Sequence, residues 1–441
     1  MTPGPRDQRT GRGRCARAWL GGLLLLVSTT AWQFTPAGSS VAFAAAGDVG
    51  YVDGATTGDG SAATGEKPES KLWWNDGSWW SVLFDTSSQT HHIFRLDRTS
   101  QQWLDTETVV DNRPKTRSDV LWDGAKLYVA SHVRASSNAS AAWGNQARLY
   151  RYSYQAETGT YTPDAGFPVQ INNYSSETLT LDKDSTGVLW ATWTMFSRVY
   201  VNRTTAGDAV WGSQFQLPVT GANTLDADDI SAVVSFGTSI GVMWSNQAAS
   251  AMYFAVHDDA APAGAWQASR TAIQGPKSAD DHINLKSVQA DASGRIFAAV
   301  KTGLDEAGVT NSAPQILLLA RDPATGDWSS ASFGRISDCH TRPIVVLDSE
   351  HQTLYMFATA PDSGCPYSGA VGTIFMKSSP MDNLSFPLGR GIPVIKDVSS
   401  PNLNNVTSTK QSVDSTTGLV VMASNDNTQR YWHADLSLVV P

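Results

Sequence analysis

The stretch ETLTLDKDSTGVLWATWT, residues 177–194, reads as an apolar strand, a tight polar turn closed by Gly187, and a second apolar strand. A single such pair says little about a fold, but this one recurs. SKLWWNDGSWWSVLFD (70–85), SDVLWDGAKLYVASHV (118–133), DISAVVSFGTSIGVMWSNQ (229–247), INLKSVQADASGRIFAAVKTG (283–303), TRPIVVLDSEHQTLYMFATA (341–360) and STKQSVDSTTGLVVMASND (408–426) share the pattern. Their second strands begin at Trp79, Leu127, Leu189, Ile240, Ile296, Leu354 and Leu419, at intervals of 48 to 65 residues. Each interval is about the length of one four-stranded sheet, and self-similarity at such a period marks a repeat architecture.

A third strand follows each pair, with the alternation of a half-buried β-strand: HHIFRLD, ARLYRYSY, SRVYVN, MYFAVHD, QILLLARD, TIFMKS and RYWHADL. A fourth often carries a tryptophan, as at Trp103, Trp211, Trp266 and Trp328. Seven four-stranded repeats predict an all-β, seven-bladed β-propeller of antiparallel blades. Two β-sandwiches would not account for seven matching strand pairs. The last repeat runs out after its third strand, so the segment around GYVDG (50–54) is expected to supply the outer strand and close the ring.

Ahead of the repeats, Arg6, Arg9, Arg12, Arg14 and Arg17 precede the apolar run AWLGGLLLLV, and AFAAAG offers a cleavage site near Ala44 to Ala46. This is the pattern of a secretory signal peptide over 1–46, leaving 47–441 as a single propeller domain of a secreted protein. Cys15 lies before the apolar run and is wrongly placed for a lipid anchor. Removal of the five arginines and Asp7, net +4, takes the formal charge from −9 to −13. An acidic chain without basic clusters lacks the footprint of a nucleic-acid binder. No second apolar stretch reaches membrane-spanning length, and a monomer is expected. Cys339 and Cys365 remain in the mature chain, and export favours a disulfide between them.

The blade topology tells which residues share a face. The connection into a first strand and the connection from second to third strand emerge on one face; the first hairpin emerges on the other. Entry residues and second-strand ends therefore converge at one mouth of the central channel, where loops from all blades meet on a rigid frame. SADDHINLK (278–286) opens the fifth blade and so lines that mouth. Of eight histidines, five map there: His91, His92, His132, His282 and His340; His351 falls in a hairpin on the other face. Lys71, Arg117, Asp119, Glu177, Asp228, Asp229, Asp281, Asn284, Lys286, Arg342 and Lys410 join from blade entries, and Asn246 and Lys301 from second-strand ends.

The chain resembles the secreted sialidase-like propellers that carry bacterial neuraminidase repeats. DKDSTGVLW at Asp182, DASGRIF at Asp291, DPATGDW at Asp322 and DSTTG at Asp414 are similar to the Asp-box S-x-D-x-G-x-x-W, with a longer Asp-to-Gly spacing. The F-R-I-P strand is absent and no Tyr–Glu nucleophile pair is assigned, though Arg148, Arg198, Arg342 and Arg430 leave room for an arginine triad. A second resemblance, closer in motif, is to propeller polysaccharide lyases. Some of these carry a DDHN-like stretch at a blade entry, then a strand, a D-x-x-G hairpin and a second strand. DDHIN…DASGRIFAAV is similar, with Ile283 inserted before Asn284.

The lyase resemblance implies β-elimination across a uronate in an acidic oligo- or polysaccharide. That chemistry needs a cation to neutralise the carboxylate, a base for the C5 proton and an acid for the leaving oxygen. Arg342 and Lys286 are the candidate cations, and His282 and His340 the candidate base and acid. His91, His132, Asn246, Lys301, Lys71, Glu177 and Asp229 are candidate substrate contacts. A sialidase-like hydrolase would use two carboxylates instead, and a non-catalytic propeller would bind glycan or protein at the same mouth. No cofactor is required and no spacing is diagnostic of a metal; the Asp280–Asp281–His282 set leaves room for a divalent cation such as calcium.

Overall fold

The computed structural model describes residues 45–438, apart from 114, 288–293 and 366–370. These residues form seven antiparallel sheets, the seven-bladed propeller expected from the repeat. The first blade runs Leu72–Asn75, Ser78–Asp85, Thr90–Asp97 and Gln102–Val109, each strand paired with the next. First strands of consecutive blades lie side by side and line the channel. The described residues hold three short 3₁₀ turns and no α-helix, so no helix among them is long and apolar enough to cross a membrane. The expected leader falls almost wholly on residues 1–44, and the Asp291 turn on 288–293; both lie outside the described residues.

The seventh blade departs from the sequence reading. Its first strand is Leu403–Thr407, five residues earlier than the quoted segment starts. A register shift interrupts its ladder between Asn404 and Thr407, and the strand ends at Thr407, opposite Met422. Residues 408–411 then leave the sheet, and Gln411 instead exchanges hydrogen bonds with the Trp74 backbone, at 2.8 and 3.1 Å. The outer strand of this blade is Tyr51–Ala55, antiparallel to Arg430–Leu436 with Val52 opposite Trp432.

The abundance of tryptophan follows from the geometry of a propeller. Twisted sheets arranged about an axis leave wedge-shaped gaps between their faces, and large rings fill them. Between blades 1 and 2, Trp73, Trp80, Val82 and Ile93 pack against Val120, Val129, Tyr150 and Tyr161. Trp190 and Trp244 do the same between blades 3 and 4. Two of these buried indoles also donate from N–H: Trp73 bonds the Tyr161 hydroxyl at 2.8 Å and Trp244 the Gly221 carbonyl at 2.7 Å.

The resemblance to an Asp-box reduces to turn chemistry. In the third blade Asp184, rather than Asp182, organises the hairpin. One oxygen accepts from the Thr186 and Val188 amides, both at 2.9 Å, and the other from the Trp190 indole at 2.9 Å. Asp414 and Asp322 each accept from two amides of their own turns. Asp322 sits between a third and a fourth strand, outside the position of the repeat. Such Asx turns are common wherever a carboxylate can reach amides two or three residues on, and they assign no sialidase repeat.

Cys339 and Cys365 are bridged, with Cα atoms 5.5 Å apart across a separation of 26 residues. Constraining a loop of that length in the unfolded chain contributes about 3 kcal/mol. Reduction, or a Cys339→Ser/Cys365→Ser variant, is expected to lower the free energy of denaturant unfolding by about that amount. Thiol titration of residues 47–441, denatured and unreduced, should find no free sulfhydryl; two free thiols would refute the bridge.

Candidate functional site

The loop joining Ala55 to Leu72 supplies the mouth with a part that no repeat predicts. Residues 62–71 are almost wholly buried, because this loop runs across the channel entry instead of around it. Lys67, at φ +42°, projects its ammonium between Glu177 of the third blade, at 2.8 Å, and Asp281 of the fifth. Asn284 donates to the Lys67 carbonyl at 3.3 Å. Glu66 pairs with Arg134 at 2.6 Å, and Glu69 with His132 at 2.6 Å. One short segment thus ties together blades 2, 3 and 5.

Burial and charge set the protonation of this cluster. Burial would lower the Lys67 ammonium, but Asp281 and then Glu177 outweigh it and hold Lys67 charged above the ordinary lysine range. Burial would raise Asp281, yet His282 and Lys67 hold it well below the usual carboxylate range. Glu177 goes the other way: burial raises it to about 7, only partly opposed by Lys67. Of the two carboxyls on one ammonium, Asp281 therefore carries the charge and Glu177 keeps a proton up to neutrality.

His282 sits beside this cluster. Its Nδ1 lies 2.5 Å from Asp280 Oδ1 and 2.6 Å from Asp281 Oδ1. Two carboxylates on one ring nitrogen fix a proton there, so Nε2 is the nitrogen through which the ring can exchange a proton. Nε2 faces Thr341 Oγ1 at 3.4 Å. Lys301 closes the arrangement, its ammonium 2.6 Å from Asp280 Oδ2. Arg342, next to Thr341, is half-buried at φ +50°, its Nε buried without a partner. It makes no ion pair among the described residues, and Asp426 of the seventh blade feels its charge. A cation held in a strained backbone conformation without a partner is available to an incoming anion.

The structure thus brings His282, Arg342, Lys301 and Glu177 to the mouth and sends the other candidates elsewhere. The His340 side chain turns away from the channel, into the space between the fifth and sixth blades. It is 1% exposed, packs on Phe333 and Phe375, and has its Nε2 3.0 Å from the Arg390 carbonyl. A Cβ at Gly334 would collide with its ring, so the niche is built for it. Burial, with Lys377 nearby, pushes His340 down to about 3, which keeps the ring neutral. His340 and His282 therefore do not share a ligand, because Cys339 at φ +59° and Arg342 at φ +50° redirect the chain between them.

The remaining candidates are buried struts. His132 is fully enclosed between Glu69 and Ser176, and His91 lies 3.2 Å from Asp59. Asn246 donates to the Gly221 carbonyl, and Asp229, raised by burial to about 6, accepts from the Asp226 and Gln247 amides. Lys71 reaches Ser118 at 3.1 Å, and burial followed by the charge of Arg117 lowers it to about 8. Lys67 and Glu66 are not among the candidates read from the sequence, and Asp280 is there only as part of the candidate cation set. The signal for the first two was GEKPES (65–70), three charges in six residues just before a tryptophan-rich strand.

Deeper in the channel, Lys410 pairs with Asp119 at 2.6 Å and Lys286 bonds Ser70 Oγ at 2.9 Å. Burial, and then the charge of Lys410, lower Lys286 to about 7, opposed by Asp119 and Asp182. In the unfolded chain Lys286 titrates near the ordinary lysine value, so between about 7 and 10.5 the unfolded state binds more protons. This group therefore makes stability rise with pH across that window. Lys286→Met is expected to be more stable than the parent by a few kcal/mol at pH 6, with the difference gone by pH 10. Equal destabilisation at both pH values would contradict that.

The Asp280–Asp281–His282 set is a poor fit for calcium. Calcium takes six to eight oxygen ligands. Here a ring nitrogen occupies one side of both carboxylates, while Lys301 and Lys67 already neutralise the other.

No protein-family model matches the chain, and no curated protein matches it in sequence. Among solved structures, the polysaccharide lyase Uly1 is similar with a TM-score of 0.50 at 10% identity, over 89% of this chain and 99% of that one. CoXyl43, a GH43 β-xylosidase/α-arabinofuranosidase from a compost microbial metagenome, overlaps with a TM-score of 0.35 at 9% identity, over 64% and 98% of the two chains. The catalytic domain of a Coprinopsis cinerea GH62 α-L-arabinofuranosidase gives 0.36 at 7%, over 57% and 86%. At 10% identity the likeness to Uly1 is one of fold.

Proposed function

We propose that the protein is an exported carbohydrate-active enzyme that cleaves a uronate-containing polysaccharide by β-elimination at the loop-rich mouth of its propeller. What supports this reading is His282, oriented by two carboxylates and facing Thr341 through Nε2, and next to Thr341 in the chain Arg342, a cation that has no ion pair among the described residues. The substrate carboxylate would dock on Arg342, whose planar fork suits a bidentate grip. Neutralising that carboxylate stabilises the enolate-like charge that develops as C5 loses its proton. His282 Nε2 takes the proton, and Asp280 and Asp281 stabilise the imidazolium through Nδ1, the role a carboxylate plays in an Asp–His pair. The C4–O4 bond then breaks as the C4–C5 double bond forms. With His340 turned away, the His282 imidazolium returns its proton to O4, a syn elimination with one residue as base and acid. Export rests on the leader-like residues 1–46.

A hydrolase reading would draw on Glu177 as acid and Asp281 as base. The Lys67 ammonium between them occupies the place a glycosidic bond would need. The test is an activity screen on acidic plant, algal and bacterial polysaccharides. Elimination raises the ultraviolet absorbance of unsaturated uronate. New reducing ends without that rise would establish hydrolysis instead, and binding without turnover would establish a non-catalytic propeller.

A further inference from the structure

Three aromatic side chains stand on the rim of the mouth between the second and third blades. Trp143 opens the third strand of blade 2, Trp143–Gln155; Tyr174 ends its outer strand, Val169–Tyr174; Phe196 follows the second strand of blade 3, Leu189–Met195. By the direction of the strands, all three positions belong to the mouth face. Trp143 is 70% exposed and Phe196 48%, with Tyr174 half-buried between them. The rings meet edge to face, at 5.1 Å for Trp143–Tyr174 and 5.7 Å for Tyr174–Phe196. A single exposed aromatic needs no explanation, but a contiguous row of three does.

A second observation concerns how Phe196 is held. Phe196 and Ser197 form a two-residue hairpin turn between the paired Met195 and Arg198, with φ of +50° and +59°. Such turns favour Asn-Gly, because residues with bulky side chains are strained at positive φ. The strain is held by Asn138, which is fully buried. Its carbonyl accepts from the Phe196 amide at 3.0 Å and its Oδ1 from the Ser197 amide at 3.1 Å. The Asn138 side-chain amide donates to the Asp226 carbonyl, two residues before Asp228 at the mouth. The fold thus spends backbone strain to hold an apolar ring in solvent, on a turn braced against the mouth itself.

We propose that Trp143, Tyr174 and Phe196 form a stacking subsite for pyranose rings of a polysaccharide chain that runs over this rim into the mouth. The choice of a sugar polymer rests on the function proposed above. The apolar C–H faces of pyranoses stack on aromatic rings, and a polymer can span rim and mouth together where a short fragment cannot.

The test is affinity electrophoresis through gels holding polygalacturonate, alginate, hyaluronate or neutral xylan, using His282→Ala protein so that the polymer stays intact. On whichever polymer retards the parent, Trp143→Ala should weaken binding about tenfold, with Trp143→Tyr restoring part of it. Phe196→Gly should weaken binding while leaving the thermal midpoint unchanged or higher, since glycine relieves the turn. Retardation by none of the polymers, or equal retardation of parent and Trp143→Ala, overturns the subsite. A parent that sediments as a dimer and a Trp143→Ala variant that sediments as a monomer also overturns it, in favour of self-association. Aromatic-dependent binding in a wild-type protein that cleaves none of the polymers leaves the subsite standing and removes the proposed elimination.

Discussion

His282→Ala is expected to lower turnover by about 10²–10⁴-fold while leaving the fold intact, the usual range for removing a general acid–base group. The expectation rests on position rather than on residue type. His282 is held at the mouth with both carboxylate contacts on Nδ1 and Nε2 facing out of the acidic cluster. Arg342→Lys is expected to be damaging as well, because a point charge cannot reproduce a bidentate grip on a carboxylate. His340→Ala provides the contrast. It removes a ring packed between Phe333 and Phe375, so its effect should appear as a loss of stability on the order of 2–4 kcal/mol, with turnover per folded molecule retained. Steady-state rates on the cleaved polysaccharide, normalised by the folded fraction, separate the two. Near-full rate for His282→Ala, or the larger rate loss for His340→Ala, would refute the assignment.

Lys67→Met should produce the largest loss of stability, about 3–5 kcal/mol in denaturant unfolding, because it leaves Asp281 charged, buried and short of its cation. The loss should depend on pH. Glu177 holds its proton up to about 7 in the folded protein and releases it near the ordinary carboxylate value when unfolded. Between those values the folded state binds more protons, so through this group the fold loses stability as pH rises. Without Lys67 the window extends upward, so the variant should be less impaired at pH 5 than at pH 8. Glu177→Gln in the same background should recover part of the loss at pH 8. A Lys67→Met protein as stable as the parent at both pH values would show that the strap across the mouth is dispensable.

The seven blades were legible in the chain because what specifies them is local. Period-two alternation, Asp- and Gly-rich turns and tryptophans at strand positions all act within about twenty residues, and they recur. The face on which Asp281, His282, Arg342 and Lys301 converge followed from topology, since strand direction is fixed once the hairpins are assigned. The pairing of Cys339 with Cys365 followed from there being only two cysteines beyond residue 46.

What lay beyond the chain's local signals depended on partners far apart in sequence. Lys67 meets Glu177 and Asp281, 110 and 214 residues away, only because the strap crosses the channel. Nothing in CHTR tells which way His340 points. The positive φ at Cys339 and Arg342, and the gap that Gly334 leaves, turn it from the mouth into the blade packing. In the seventh blade the first strand ends at Thr407, and Lys410, outside the sheet, crosses to Asp119. A strand's existence is set by its own residues, but which face a side chain takes, and which charge it meets across a ring, is set by backbone geometry and by blades that fold around it.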